Sequence, residues 1–343
     1  MRRALQVVPA LWSVLAALVV SVILLALAGA PPFRALGLVL DGAVGDGGRM
    51  ADTLMSWVPL TLAAAGLVVT FVAGLWNIGV EGQVIAGAIG ATWAARTIPG
   101  EGFVVIPAAL AAGVAAGALW ALAAGVLKTR GGVNEIFGGL GLGFVAQSLA
   151  TYLIIGPWKR AGIASTSGTE PFREEVWLPT VGGTRLSPVA VILALAAIAV
   201  VWALLRGTRF GLRLKAVGAN PASARLLGVP TEATILRAFA LGGGMAGLAG
   251  AVLATGIQHK LVPAIAGGRG FLAILVVLLA AYRIVWVAPI ALFFAILSVG
   301  SAQLQLRLDL DSSIGGVLQG ILVLFVILIG GWQALHRRDA EEP

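Results

Sequence analysis

Long apolar runs dominate the chain, and most of its charged residues lie in the gaps between them. A helix needs about 20 mostly apolar residues to cross roughly 30 Å of hydrocarbon. The eight uncharged runs long enough for a full span are Ala10–Ala30, Thr53–Trp76, Gly102–Leu127, Ile136–Trp158, Leu186–Leu205, Ala238–Gln258, Ile284–Leu306 and Ser312–Leu335. Two shorter runs, Gly82–Ala95 and Gly270–Tyr282, suit half-length or broken helices buried among neighbours. The pattern therefore predicts an all-α fold, a polytopic transmembrane helical bundle with about ten membrane segments.

Ten crossings would place both termini on one side of the membrane, and the basic residues indicate which side. Clusters around Arg2 and within residues 206–237 lie against span ends, which favours cytoplasmic N- and C-termini in a cell (plasma or inner) membrane. Residues 157–188 are then an extracytoplasmic loop and residues 206–237 a cytoplasmic segment. The first run resembles a signal peptide, but its length and the spans after it favour a retained helix. One membrane domain, residues 1–343, accounts for the chain.

Composition excludes several classes of function. Of the 343 residues, 59% are hydrophobic and 11% charged, whereas about a quarter are charged in ordinary soluble domains. The net charge of +8 forms no continuous stripe, so no nucleic-acid partner is predicted. Cysteine is absent, and neither a metal-site nor a catalytic motif occurs, so the chain is predicted not to be an enzyme. Without a Walker motif, the chain itself is expected to bind no ATP.

Small residues recur at three- and four-residue intervals in two stretches, Ala108–Gly125 and Gly242–Gly256. Lipid supplies no hydrophobic drive between helices, so faces of this kind associate by close van der Waals packing. The glycines here are therefore interpreted as helix-packing residues.

The charged segment 206–237 contains the clearest helix signals outside the apolar runs. Asn220-Pro221 can open a helix, with asparagine as the cap and proline at the first position, and Gly228 can close it. A second short helix is expected after Pro230, with Thr231 near its cap. Such a helix could dock into a groove on a soluble partner, or the basic loop could bind acidic lipid head groups. The defined caps favour docking.

A polar insert, residues 74–83, separates the second long run from a short one. Glu81 is costly at membrane depth, and Asn77 and Gln83 could satisfy it or face water. The alternative, slightly favoured by the flanking glycines, is a cytoplasmic turn with Glu81 solvated. A second charged turn carries Asn134 and Glu135.

Four motifs resemble the permeases of ABC importers in the branched-chain amino acid, simple sugar and nucleoside group. They are G-L-R-L-K-A-V-G-A-N-P-A-S-A-R-L-L-G-V from Gly211, N-I-G-V-E-G-Q from Asn77, G-V-N-E from Gly132 and the stretch from Gly268 to Pro289. The N-I-G-V-E-G-Q wording is similar to the nucleoside-type subgroup. The helix after Glu135 departs from the family pattern by its many glycines.

This resemblance implies partners and a mechanism. The coupling helix would dock on a separate ATPase subunit, which holds the ATP, and a solute-binding protein would deliver the solute. A second, similar permease chain, rather than a homodimer, would complete an alternating-access pathway for a nucleoside. The residues implied in coupling are Gly218, Asn220, Pro221, Ala224, Arg225 and Gly228.

Two alternatives remain open at this point: a simple-sugar permease and an ATP-independent secondary transporter. Charges that cluster at run ends argue against the latter, which usually carries ionisable groups within its spans. An uncharged, hydroxyl-rich solute needs hydrogen-bonding groups along the pathway. The candidates outside the full spans are Asn77, Glu81, Gln83, Asn134 and Glu135. Those within the full spans, each of which could instead bond between helices, are Gln147, Ser148, Thr151, Ser298, Ser301 and Gln303.

Overall fold

The computed structural model describes residues 31–160, 162 and 167–308, together with residues 19, 22–23, 316–317, 320–321, 324 and 328. All regular structure in this part of the chain is helical, with no strand. The all-α prediction is therefore confirmed for the described residues. The predicted spans Ala10–Ala30 and Ser312–Leu335 lie almost entirely outside them.

Six helices in the described ranges are long and apolar enough to cross a membrane. They are α2 (Gly47–Val72), α4 (Gly102–Thr129), α5 (Glu135–Ile155), α6 (Pro188–Gly207), α9 (Thr231–Val252, continued by a π-helical turn Leu253–Gln258) and α11 (Ile284–Gly300) with α12 (Ala302–Leu308). The other helices are α1 (Pro32–Val44), α3 (Val80–Thr97), α7 (Arg209–Ala219), α8 (Pro221–Leu226) and α10 (Arg269–Leu279). The total of about ten membrane segments stays a prediction.

The end of α2 and the start of α9 differ from the ends of the apolar runs that predicted these helices. Helix α2 ends at Val72 rather than Trp76, because the chain turns at Gly74, which has a φ of 74°. Helix α9 begins at Thr231 rather than Ala238, so the second short helix expected after Pro230 is the first part of α9 itself. Charged residues at this start are compatible with a helix, since only hydrocarbon excludes them.

The chain forms two compact units, residues 1–56 with 292–343 and residues 57–291. In the first unit, α1 and α12 pack through Ala35, Val39 and Leu304. In the second unit, α3, α4 and α9 form the core. A Cβ placed on Gly247 of α9 would collide with the carbonyl oxygen of Gly113 of α4, so these backbones touch. The predicted role of the small residues in helix packing is confirmed here.

The loop at residues 167–188 is ordered against the end of α9. The backbone amides of Thr169, Phe172 and Leu178 donate to the carbonyl oxygens of Leu261, His259 and Thr255, at 2.9, 2.7 and 3.2 Å respectively. A 3₁₀ turn, Glu174–Val176, lies against the start of α4, where a Cβ on Gly102 would meet the carbonyl oxygen of Glu175, and Val176 is buried. Residues 167–187 of the polar stretch before α6 thus form an ordered loop, one of the two forms that its Gly and Pro punctuation predicts.

Candidate functional site

Helix α8 has the cap that its sequence predicts. The side-chain Oδ1 of Asn220 accepts hydrogen bonds from the amides of Ala222 and Ser223, both at 3.0 Å. Pro221 occupies the first helical position, and Gly228 turns the chain after the helix with a φ of 79°. These local interactions define a one-and-a-half-turn helix between α7 and α9.

The α8 helix presents an apolar pair that sequence reasoning missed. Leu226 is 90% exposed and Leu227 is 82% exposed, although leucine normally avoids water. Ala224 faces inward and is buried, while the Nε of Arg225 donates to the Thr231 hydroxyl at 3.3 Å. The position of the two leucines at the end of a capped, charged segment is the signal that could have identified them.

Helix α7 is anchored directly on the connection between α2 and α3. A Cβ on Gly218 would collide with the carbonyl oxygen of Val72, and the backbone of Gly74 lies alongside. On the same helix, Leu214 and Val217 are buried. Gly218, predicted as part of the coupling segment, therefore lies where that segment touches the bundle.

The α2–α3 connection is held by aromatic rings and a pair of amides. The Phe71 ring contacts Trp76 edge-on and stacks on Tyr282, with centroid distances of 5.1 and 5.6 Å. Asn77 Nδ2 donates to Gln83 Oε1 at 3.0 Å, and Gln83 Nε2 donates to Asn77 Oδ1 at 2.7 Å. Both amide side chains are buried. Asn77 and Gln83 therefore satisfy each other within this connection.

Glu81 caps a helix that is distant in sequence. Its Oε1 accepts from the amide of Gly268 at 2.8 Å, and its Oε2 accepts from the amide of Gly270 at 2.7 Å. These donors belong to the start of α10, where backbone amides have no partner inside the helix. The interpretation of Glu81 as part of a solvated turn is therefore wrong.

Glu81 lies beside the middle of helix α5. Gly82, the next residue, lies against Gly143, which follows the start of α5 by about 12 Å along the helix axis. Helix α10, with 11 residues, is roughly 16 Å long, about half of the hydrocarbon thickness. The short run predicted as a half-length helix is thus too short to cross a bilayer, and it begins beside the partly buried carboxylate of Glu81.

A cavity of ≈ 190 Å³ adjoins this carboxylate. Glu81 and Gln147 supply its polar groups, and Phe144 and Phe271 flank it with rings that are 73% and 45% exposed. The remaining lining residues are apolar or glycine: Ile78, Ile85, Gly139, Leu140 and Gly143. The glycines of α5 that depart from the resembled family allow the α2–α3 connection to pack closely, since Gly79 lies against Gly139.

The other predicted pathway residues lie elsewhere. Asn134 caps α5 by accepting from the Ile136 amide at 2.8 Å, and Glu135 pairs with Lys128 at 2.6 Å. On α5, Ser148 is exposed, and the Thr151 hydroxyl donates to the Gln147 carbonyl at 3.0 Å. Ser298, Ser301 and Gln303 belong to the other compact unit. Of the predicted residues, Glu81 and Gln147 line the cavity together.

Comparison with known proteins gives relatives over most of the chain. A glucose ABC transporter permease protein of Haloferax volcanii is 32% identical over 325 residues, covering 92% of this chain and 85% of the relative. A guanosine ABC transporter permease protein of Bacillus subtilis is 29% identical over 293 residues, covering 83% of each. The solved structure of PsaBC from Streptococcus pneumoniae in complex with Fab superposes with a TM-score of 0.51 at 13% identity, covering 86% of this chain and 95% of that chain.

The superposition on PsaBC, at 13% identity, shows a shared helical fold and no more. The family model described as branched-chain amino acid transport system / permease component matches residues 49–327, which is most of the chain. The resemblance inferred from the N-I-G-V-E-G-Q and coupling-segment motifs is confirmed. This chain belongs to the branched-chain amino acid transport system / permease component family.

Proposed function

We propose that this chain is the permease subunit of an ABC importer for an uncharged nucleoside, driven by ATP hydrolysis on separate ATPase subunits. The observation that carries the coupling part of this proposal is the exposed pair Leu226 and Leu227 on the capped helix α8. An apolar pair on a short helix matches what a groove on a soluble partner binds. In this assignment α8 is the coupling helix, and residues 206–237 face the cytoplasm.

The contacts behind α8 offer a continuous route from the ATPase to the cavity beside Glu81. Helix α7 packs on Val72 through Gly218, and the chain from Val72 leads to Glu81 at the start of α3. Glu81 in turn holds the first amides of α10. A displacement of α8 would therefore be transmitted to the start of α10 through packed backbone and hydrogen bonds.

The assembly that fits this arrangement has further partners. A soluble binding protein would deliver the solute to the face formed by the ordered loop at residues 167–188, on the extracytoplasmic side of the cell membrane. A second, similar permease chain would face the cavity, because Phe144 leaves one wall of it open. Both termini would be cytoplasmic.

The choice of an uncharged solute rests on the polar groups at the cavity and on the relatives. Similarity to the guanosine permease of Bacillus subtilis favours a nucleoside. A simple sugar is the second candidate, favoured by the higher identity to the glucose permease of Haloferax volcanii. Both solutes carry ring hydroxyls that amide and carboxylate groups can bind.

An ATP-independent transporter is the remaining alternative, and Glu81 changes the argument about it. The sequence pattern placed charges at run ends, whereas the structure places the partly buried Glu81 carboxylate beside the start of α10. A carboxylate within the helix bundle could couple transport to protons. Against this, both of its oxygens bond to backbone amides, and family membership favours a separate ATPase.

Co-purification tests the proposal. Tagged chain from gently solubilised native membranes should carry an ATPase subunit, and native cells lacking the chain should lose ATP-dependent uptake of guanosine. A double variant, Leu226→Asp with Leu227→Asp, should lose the ATPase and reduce uptake more than tenfold, since charged groups replace the apolar contact. The control, Leu226→Met with Leu227→Met, keeps the pair apolar and should retain both. An Asp variant that still recovers the ATPase in normal amount contradicts the docking assignment.

A further inference from the structure

The cavity beside Glu81 combines features that a ligand site needs. Gln147 lines the cavity, and the hydrogen bond described at this residue goes to its backbone carbonyl, so its side-chain amide is available to a ligand. The Glu81 carboxylate accepts from two backbone amides at the start of α10 and also interacts with the amide of Phe271, and its two oxygens, with about four lone-pair sites, retain acceptor capacity. Phe144 and Phe271 leave ring surface exposed at the same place. The cavity thus offers one acceptor group, one amide that donates and accepts, and aromatic surface.

Glu81 also determines which charge the cavity accepts. The start of a helix attracts anions, because its first amides are unpaired and the helix dipole is positive there. At α10 this position is filled by the chain's own carboxylate. A phosphate that entered the cavity would meet a negative group instead of free amide donors. The arrangement therefore favours an uncharged solute over its phosphorylated form.

We propose that this cavity is half of the solute-binding site and that it takes the base of an uncharged nucleoside. The inference rests on the proposed function and adds the residues and the ligand class. Phe144 and Phe271 provide stacking surface for the flat base. Glu81 accepts from the N–H groups on the edge of the base, and Gln147 donates to or accepts from the same edge.

A purine with adjacent N–H donors suits this group of residues best. A carboxylate only accepts, so the edge facing it has to donate, as the N1–H and the 2-amino group of guanine do. With the base in the cavity, the ribose would extend through the open wall at Phe144 toward the second permease chain. That chain would complete the site. A phosphate on the ribose would bring a second negative charge beside the Glu81 carboxylate. Arg269, whose positive charge already interacts with that carboxylate, does not line the cavity.

The test measures uptake by the complete transporter, with its ATPase and binding protein, in proteoliposomes. The probes are radiolabelled guanosine, guanosine monophosphate and glucose. Phe144→Ala and Gln147→Leu should each raise the KM for guanosine roughly tenfold. Phe137→Ala is the matched control, since Phe137 is 72% exposed on the same helix but does not line the cavity. ATPase activity without solute should be the same in the control and the unchanged protein.

The outcomes separate this assignment from the proposed function. Guanosine uptake by the unchanged protein, with normal KM in both cavity variants, would overturn the half-site and leave the importer intact. Glucose uptake alone, weakened by the same variants, would overturn the nucleobase as ligand. Transport of the monophosphate as readily as of guanosine would overturn the charge argument. Uptake of neither guanosine nor glucose would overturn the proposed substrate class and this assignment with it. If a variant does not assemble, Phe144→Leu, which removes the ring and keeps the bulk apolar, replaces it.

Discussion

The helix starts of α8 and α10 satisfy their first amides in different ways. In α8 the cap is Asn220, which bonds to amides two and three residues ahead. In α10 the cap is Glu81, which lies 187 and 189 residues away from the amides that it accepts. An exposed helix start can also bond to water, whereas a buried start needs a protein partner. The buried start of α10 therefore depends on another helix.

This difference has a mechanical consequence. The cap of α8 comes from the residue directly before it and ties the helix to no element distant in sequence; its further contacts are the buried Ala224 and the bond of Arg225 to Thr231. A remote cap ties the start of α10 to the start of α3, so neither can shift without breaking charge-assisted hydrogen bonds. The peripheral helix is thus suited to contact, and the buried one to transmission of movement to the cavity.

The largest effect is expected from removing the remote cap. Glu81→Ala leaves the amides of Gly268 and Gly270 without their acceptor, and each buried, unpaired group costs about 1–3 kcal/mol. The thermal unfolding temperature of the purified protein, followed by tryptophan fluorescence in detergent, should fall clearly, and uptake should fall more than tenfold. Glu81→Gln retains one acceptor oxygen and should give an intermediate result.

The control for this variant is Glu170→Ala, because Glu170 is an exposed glutamate in the loop before α6. It should unfold at the temperature of the unchanged protein. Equal unfolding temperatures for Glu81→Ala and Glu170→Ala would show that the remote cap contributes nothing to stability, and the proposed link between α3 and α10 would then be wrong.

A smaller effect is expected from removing the local cap. Asn220→Ala should weaken α8 by about 1 kcal/mol, because the amides of Ala222 and Ser223 lose their side-chain acceptor. The unfolding temperature of the protein should hardly change, while ATPase stimulation by solute in the reconstituted complex should fall severalfold. Asn220→Asp keeps an acceptor and should restore it. A drop in unfolding temperature as large as that of Glu81→Ala would place α8 within the core.

The same contrast explains which features could be predicted from the sequence. The cap, the first proline and the closing glycine of α8 lie within nine residues of each other, so propensity and spacing suffice to predict the helix. The run lengths likewise predicted α10 as a half-length helix. No local signal indicates which distant amides Glu81 will meet, because that contact depends on the packing of α3 against α5 and α10.

Packing also decides which side chains reach the cavity. Gln147 and Ser148 are adjacent polar residues on α5, yet only the former lines the cavity, because successive helical positions point about 100° apart. The sequence identified both as candidates and could not choose between them. Phe144, one turn before Gln147, was not identified, since an aromatic residue in an apolar run has the ordinary composition of a membrane helix.

The smallest effect concerns another remote contact, at the end of α9. His259 stacks on Trp177 of the ordered loop with a centroid distance of 4.1 Å, and its Nδ1 lies 2.9 Å from the Thr255 carbonyl oxygen.

Burial, with the positive charge of Arg185, lowers the pKa of His259 below its usual value of about 6.5, against the opposing effect of that carbonyl. The unfolded chain therefore binds the proton more readily, so the contribution of His259 to the free energy of unfolding is constant above about pH 6.5 and falls as the pH drops below it. The unfolding temperature should be lower at pH 5.5 than at pH 7.5, and His259→Gln should reduce that difference. An unchanged difference in His259→Gln would assign the pH dependence to other groups and leave the contact between the loop and α9 without a role in it.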